Sequence, residues 1–428
     1  MPFSLLKRIP FLSRATYVHD LRAAMLFASS WGIANLSVIV AKKTFDTPHW
    51  LLAVMLSMNG VGMMFSMFWG NVIHHRRKMP FAFWPRVIGH VLLICVSFVS
   101  SATPFVIVTG MTMVLAGATI PAVTGILRSN YPPTHRGTIR GHVRARFLTI
   151  SVIAASVGSW ILDLSPDAYR WLWPLAGMLG LLGDFEFGRI KVRHEGAVET
   201  VKRARNLLRP LWVFLGDRRF IIFTCGMFMF GFPNLMLRFV VPVDLIENYG
   251  TGYTEAAMAF SILPEFLMIF TVAFWGRLVD RYNPVRLRAF FNYIWSVELL
   301  VLLSIPFLES ATGKGSGLWW FYGARCIRGF VMGGSGLLWN LSVMYFARED
   351  DVPIYMGLHA GFTGIRSIIA PFIGSALYAA VGAQITYAIC FGMMVAGGSI
   401  MFGLSCAERD KNGRLPTFKQ AETDMEDD

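Results

Sequence analysis

Twelve stretches of about twenty apolar residues, separated by mostly short polar connections, dominate the sequence and leave room for little else. They fall near 21–41, 50–73, 82–101, 104–127, 145–163 and 169–189, then near 219–243, 254–279, 287–308, 317–346, 355–380 and 383–406. Twelve bilayer-crossing helices need about 240 residues. The chain has 428 residues, of which 55% are hydrophobic and only 15% charged, and its mean hydropathy is +0.52. A soluble chain would carry about 25% charged residues. A soluble two-domain enzyme, a disulfide-rich secreted scaffold and a disordered chain are poor fits. The sequence reads as an all-α membrane protein of twelve transmembrane helices.

Charge sets the expected orientation and the expected partners. The formal net charge is +13. The basic residues gather in the even-numbered connections: His74-His75-Arg76-Arg77-Lys78, then Arg136, Arg140 and Arg144, then Lys191 through Arg219, then Arg277, Arg281 and Arg286. The odd-numbered connections hold only Lys42, Lys43, Arg170 and Lys314. The positive-inside rule puts both termini in the cytoplasm. Lys7, Arg8 and Arg14 precede a first apolar run too long for a signal peptide. No basic stretch forms a domain of its own, so the expected partner is the lipid bilayer and not nucleic acid. Cys95, Cys225, Cys326, Cys390 and Cys406 lie in or at the ends of apolar runs without metal-ligand spacing, and read as small hydrophobes. His74, His75 and His135 could hold a metal, but no carboxylate or Cys accompanies them, and a solvated basic loop is the stronger reading. No Gly-rich run precedes Lys-Ser or Lys-Thr, which argues against ATP drive. No cofactor, metal or enzymatic activity is expected.

Two repeats divide the chain. Phe68-Trp69-Gly70 recurs as Phe274-Trp275-Gly276, and at the same offset Asn59 corresponds to Glu265. At a second offset Gly117, Gly141, Gly158 and Ser159 correspond to Gly333, Gly357, Gly374 and Ser375. The halves are parallel repeats, as in transporters that rock one bundle against another. The expected organisation is a six-helix bundle over 1–189, a cytoplasmic basic linker over 190–218, a second bundle over 219–406 and a polar tail over 407–428, the bundles being related by pseudo-twofold symmetry.

The eighth segment ends in WGRLVDRYNPVRLR, with Gly276, Asp280-Arg281, Asn283-Pro284 and Arg286. This resembles the loop motif of the major facilitator superfamily (MFS). WGNVIHHRRK is a weaker first-half copy, with Gly70 in place and His74 where the family usually has Asp. The resemblance covers the whole chain. It implies that Asp280 and Arg281 lock the cytoplasmic side, that Gly276 allows two helices to approach, and that His74 makes the first-half lock weaker or pH-sensitive. The connection SNYPPTHRGTIRGHVRARF also resembles the family's, with Pro132-Pro133 ending a helix and Gly137 and Gly141 permitting a tight entry to the next. The fifth segment lacks the Gly-Pro-rich signature of proton-coupled drug antiporters, and Met113 stands near where such proteins carry Arg.

Ionisable groups at bilayer depth are costly and mark a cavity or a partner. The first half offers Asn35, Asn59 and His90; the second offers Arg238, Glu265, Glu298, Arg325, Arg328 and Arg366. Arg325 and Arg328 share one helix face. Gly231-Phe232-Pro233, just before Asn234 and Arg238, suggests a kink lining a pathway. The resemblance places Arg238, Glu265, Arg328 and Arg366 around a central cavity and Glu298 more peripherally. In one reading Arg328 and Arg366, with Arg325 and Arg238, bind an anionic group while Glu265 carries a proton; in the other they pair within the bundle. Asn35, Asn340 and Trp339 are further candidate substrate contacts. Trp319, Trp320 and Phe321 read as an interfacial belt.

The sequence reading is an alternating-access secondary transporter of a small, anionic organic solute, with proton coupling through Glu265 left open. It is expected to be monomeric and in a bacterial inner membrane. The alternatives are efflux of hydrophobic compounds and a non-transporting receptor of the same fold.

Overall fold

The computed structural model describes residues 10–73, 76–193, 209–279, 281–347 and 351–407, and among them every regular element is helical. Contacts divide the chain into two units, Met1–Arg203 with Gly250–Ala257, and Ala204–Tyr249 with Met258–Asp428. The first bundle therefore gains 250–257, which hydropathy assigns to the second.

In the first unit, α1 runs Phe11–Ala34 and, after a turn at Asn35-Leu36, Ser37–Lys43. Then come α2 (His49–Ile73), α3 (Lys78–Cys95), α4 (Ala102–Ala118 and Ile120–Asn130), α5 (Pro133–Leu164) and α6 (Tyr169–Gly188). The break in α4 has a local cause. Pro121 has no amide to donate to the Gly117 carbonyl and crowds the preceding turn, and the Thr119 hydroxyl bonds the Ala116 carbonyl at 2.8 Å. Pro132 and Pro133 end one helix and start the next, as expected. Hydropathy starts the fifth helix at 145, whereas α5 begins twelve residues earlier, at Pro133. Arg136, Arg140 and Arg144 therefore sit on helix and not in a loop; hydropathy senses the apolar stretch, not the charged turns that extend it.

The second unit opens with a short helix, Arg209–Gly216, in a linker where the sequence shows no apolar run. Then follow α7 (Arg218–Glu247), α8, α9 (Pro284–Thr312) and α10 (Gly317–Met344). The last two, α11 and α12, are a continuous Val352–Ala407 broken at Gly382, whose φ of 75° suits glycine. Caps mark two starts: Asp217 accepts from the Phe220 amide at 2.9 Å, and Asn283 from the Val285 and Arg286 amides at 3.0 and 3.1 Å. Helix α8 comprises Tyr253–Ala257, a π-helical turn at Met258–Ile262, and Leu263–Val279. The chain passes from the first unit to the second at the start of that π turn.

Packing inside the two units repeats as the sequence repeats. In the first, α1 packs on α5 and α2 on α4; in the second, α7 packs on α11 and α8 on α10. Two of the three matched glycine pairs lie in these seams. A Cβ at Gly117 would stand 2.8 Å from Gly62 Cα of α2, and one at Gly333 would stand 2.9 Å from the Val272 nitrogen of α8. Gly158 meets Leu36 of α1, and Gly374 meets Met236 of α7, each at 3.2 Å. Gly137, Gly141 and Gly357 have no atom within 4 Å of such a Cβ, so the tight entry expected at Gly137 and Gly141 does not form. Large apolar side chains cover the outside of the helices, including Trp171, Phe307 and Trp319. Eight stretches of the described residues are long and apolar enough to cross a membrane, the last, Ile354–Ala407, containing both α11 and α12.

Candidate functional site

In the second unit, α9 and α10 bring two arginines around one carboxylate. Glu298, fully buried, pairs with Arg325 and reaches Arg328 Nη1 at 3.6 Å, so the two arginines do share a face. The carboxylate on α9 thus faces α10 directly. Arg325 also donates from Nε to the Ala259 carbonyl at 2.7 Å and from Nη2 to Phe260 at 3.3 Å. Those carbonyls belong to the π turn, where the ordinary helical pairing is interrupted. All three Arg325 nitrogens thus already have partners. Arg328 donates to Asn234 Oδ1 at 2.8 Å and lies over the Trp295 ring at 5.1 Å.

A second group surrounds Arg288, which the sequence reading passes over. Arg288 lies in the second turn of α9, is 2% exposed, and stacks 4.6 Å from the Phe230 ring centroid. Its Nε and Nη1 have no hydrogen-bond partner. One turn on, Asn292 is fully buried with both side-chain polar atoms unpartnered, and Trp295 Nε1 is in the same state. The spacing 288, 292, 295 is a helical face, and that periodicity is the signal by which Arg288 could have been found. From α11, Arg366 donates to the Met227 carbonyl at 2.5 Å and to Thr363 Oγ1 at 3.0 Å, leaving Nε unpartnered. Its guanidinium lies against Gly231, where a Cβ would collide with it. His359, also on α11, is buried with Nε2 unpartnered and its ring 4.7 Å from Trp339. Neither Arg288 nor Arg366 forms an ion pair among the described residues. Buried guanidinium groups without an anion are costly, and they favour an anion that completes them.

The other second-unit candidates are less gathered. Arg238 is exposed on α7, with no hydrogen bond or ion pair among the described residues, and within electrostatic reach of Arg328. Glu265 is half-buried, three residues beyond the π turn. Asn340 lies on α10 with its side chain outside the described part. Of the gate residues, His74 and Asp280 lie outside the described residues, Gly70 ends α2 near Ile73, and Arg281 is exposed. Gly276 does not serve a close helix approach, since a Cβ there would meet only Leu337 at 4.0 Å. The close approaches belong to α10: Gly329 against Pro264, Gly333 against Val272 and Gly334 against Trp275.

The first unit holds more ionisable groups than its sequence suggests. A cavity of about 250 Å³ is lined by Phe27, Trp31, Asn35, Arg86, His90 and Thr112, among others. His90 Nδ1 lies 2.6 Å from Asp184 Oδ2. Asp20 accepts from the Tyr131 hydroxyl at 2.8 Å and has Arg140 at 3.9 Å. Burial, then the Asp20 carboxylate, hold the Tyr131 hydroxyl well above the usual phenol range, so it remains a donor. Asp20, Arg86 and Asp184 escape the sequence reading because each sits towards the end of its apolar run, where a charge looks interfacial. Among the described residues no group of His, Cys, Asp and Glu is arranged to hold a metal ion.

A family model for the Major Facilitator Superfamily matches residues 22–263 and 223–424. The chain belongs to this superfamily. It is similar to the crystal structure of a D-xylose-proton symporter, with 12% identity and a TM-score of 0.68 over 95% of this chain and 98% of that one. A mutant of the nucleoside transporter NupG gives 10% identity and 0.67 over 91% and 99%. The inward-open xylose transporter XylE from E. coli gives 11% and 0.66 over 96% and 99%. No curated protein sequence matches. The fold is therefore the twelve-helix MFS fold, and the chain is a multi-pass membrane transporter that moves a small molecule by alternating access.

Proposed function

We propose that the protein transports a small organic anion, and that the second-unit arginines recognise it. One observation carries this reading: Arg288 and Arg366 are buried, unpaired with any described carboxylate, and retain unpartnered N–H groups. Arg328 and Arg238 add positive charge nearby, while Arg325 is committed to Glu298 and the π turn. Trp339, beside His359, and Asn340 on the same helix are further candidate contacts in the second unit, and Asn35, on the wall of the first-unit cavity, is one in the first. Proton coupling belongs to the same reading, with Glu265 as one carrier; a proton symporter among the similar structures supports it. Gly70, His74, Gly276, Asp280 and Arg281 would form the gating loops, both termini would be cytoplasmic, and a monomer in a bacterial inner membrane would suffice. The second reading, efflux of a hydrophobic compound, is favoured by the aromatic and aliphatic walls of the first-unit cavity, Phe27, Trp31, Leu93, Met113 and Phe147.

The test is thermal unfolding in mild detergent with benzoate, succinate, glucuronate, glucose and tetraphenylphosphonium. A ligand at a hundred times its Kd stabilises by about 2.7 kcal/mol, a readable shift. At least one carboxylate should raise Tm in the parent and lose that effect in Arg288→Gln and Arg366→Gln. The unliganded variants should be as stable as the parent or more so, since an unpaired buried charge is removed. Unchanged carboxylate responses in both variants, or variants that only lose stability, would assign these arginines to packing.

A further inference from the structure

We infer that His90 and Asp184 form a proton-binding site in the wall of the first-unit cavity. The inference rests on the reading of the chain as a transporter and adds to it a titratable centre that lies apart in sequence from Glu265. Three observations carry it. The Asp184 carboxylate is 1% exposed, and while Oδ2 meets His90 at 2.6 Å, Oδ1 has no partner. A buried carboxylate in that state needs a cation or a proton beside it. The imidazole, in contrast, keeps 16% of its side-chain surface and lines the cavity. A proton that reaches this cavity therefore meets the imidazole and not the carboxylate.

The ring is held in place by small and aromatic neighbours. It rests on Gly180 of α6, where a Cβ would collide with it, and Phe27 of α1 stacks over it at 5.9 Å. An aromatic face favours a cationic ring. The charged groups around it can be named element by element. On α3 itself Arg86 lies one turn away, its guanidinium 4.7 Å from the Phe27 ring and 5.2 Å from the Phe187 ring. From α6 comes Asp184, while Glu186 is engaged by Arg22, Arg189 and His19. Arg86 is within electrostatic reach first of Asp184 and then of Asp20, which comes from α1 and is shared with Arg140 of α5. Helix α4 contributes Thr109, Thr112 and Met113, none of them titratable.

The step is a proton exchange with water. A hydronium ion entering the cavity gives its proton to the free imidazole nitrogen, whose lone pair forms the N–H bond, and one water is left. Release reverses this, with water accepting the proton. No electron changes hands. Loading converts a His–Asp hydrogen bond into an imidazolium–carboxylate pair, with Arg86 also within electrostatic reach of the carboxylate.

The test is 15N NMR of histidine-labelled protein titrated from pH 4 to 9, with His90→Gln identifying the His90 signals. The His90 nitrogens should titrate within that range in the parent. In Asp184→Asn the midpoint should fall by one pH unit or more, a tenfold loss of proton affinity, because the neutral amide no longer favours the cation. In Glu265→Gln the midpoint should stay where it was. A His90 that remains neutral throughout, or a midpoint unmoved in Asp184→Asn, overturns the inference. Exchange of benzoate, succinate and glucuronate in proteoliposomes at several pH values separates this from the reading it rests on. If none exchanges, anion transport fails while the NMR result still decides the site. If one exchanges, its pH dependence should flatten in Asp184→Asn, and an unaltered profile counts against the site.

Discussion

At the scale of single residues, glycine decides where a guanidinium can lie and where two helices can meet, and the two roles predict different failures. At Gly231 a Cβ would collide with the Arg366 guanidinium, the far end of a flexible side chain. Gly231→Ala should therefore displace Arg366 at little cost in stability, leaving Tm within a few degrees of the parent and removing the carboxylate-induced shift. At Gly117 the Cβ would meet the Gly62 backbone at 2.7–2.8 Å, which cannot step aside. Gly117→Ala should lower stability by about 1–3 kcal/mol, read as a fall in Tm without any ligand. Equal behaviour of the two variants would show that the glycines are not divided in this way. The repeat made Gly117, Gly158, Gly333 and Gly374 visible in the sequence. What it could not show is which carboxylate meets which arginine. Glu298 is adjacent to Arg325 only because α9 faces α10, and Asp184 reaches His90 across 94 positions of sequence.

At the scale of elements, α8 changes its hydrogen-bond register within its length. Its first turn belongs by contacts to the first unit and the rest to the second, with the π turn at the change. That first turn is held by Asp163 of α5, whose carboxylate accepts from the Tyr253 amide at 2.6 Å and the Thr254 amide at 2.9 Å. Lys43 donates to the Thr251 carbonyl at 2.6 Å, and Thr44 pairs with the Tyr253 hydroxyl at 2.9 Å. An acceptor at a helix start is worth about 1 kcal/mol. Asp163→Ala should therefore speed hydrogen exchange at the Tyr253 and Thr254 amides about fivefold, with exchange elsewhere in α8 unchanged. Unaltered exchange at those two amides would mean the contact carries no stability. Hydropathy located every long helix, because an apolar run of membrane length is a strong signal. It missed the π turn and the extra turns of α5, because hydrogen-bond register and charged extensions leave no trace in mean hydropathy.

At the scale of the molecule, each unit repeats the other's packing while carrying different charges. The second keeps buried arginines in excess of carboxylates; the first keeps a His–Asp pair beside a cavity. This asymmetry underlies the proposal that the second unit's arginines recognise the anion, and that His90 and Asp184 of the first add a proton site to Glu265. Twelve helices and two halves could be read from the sequence, since repeated spacing and loop charge are local. The pairing of charges could not, since it depends on which helix faces meet. The most direct measurement is counterflow in proteoliposomes loaded in turn with benzoate, succinate, glucuronate, glucose and tetraphenylphosphonium. The account predicts exchange of at least one carboxylate by the parent and a loss of tenfold or more in Arg366→Gln, with both proteins folded to the same extent. Exchange confined to glucose or tetraphenylphosphonium, and unaffected by Arg366→Gln, would contradict it.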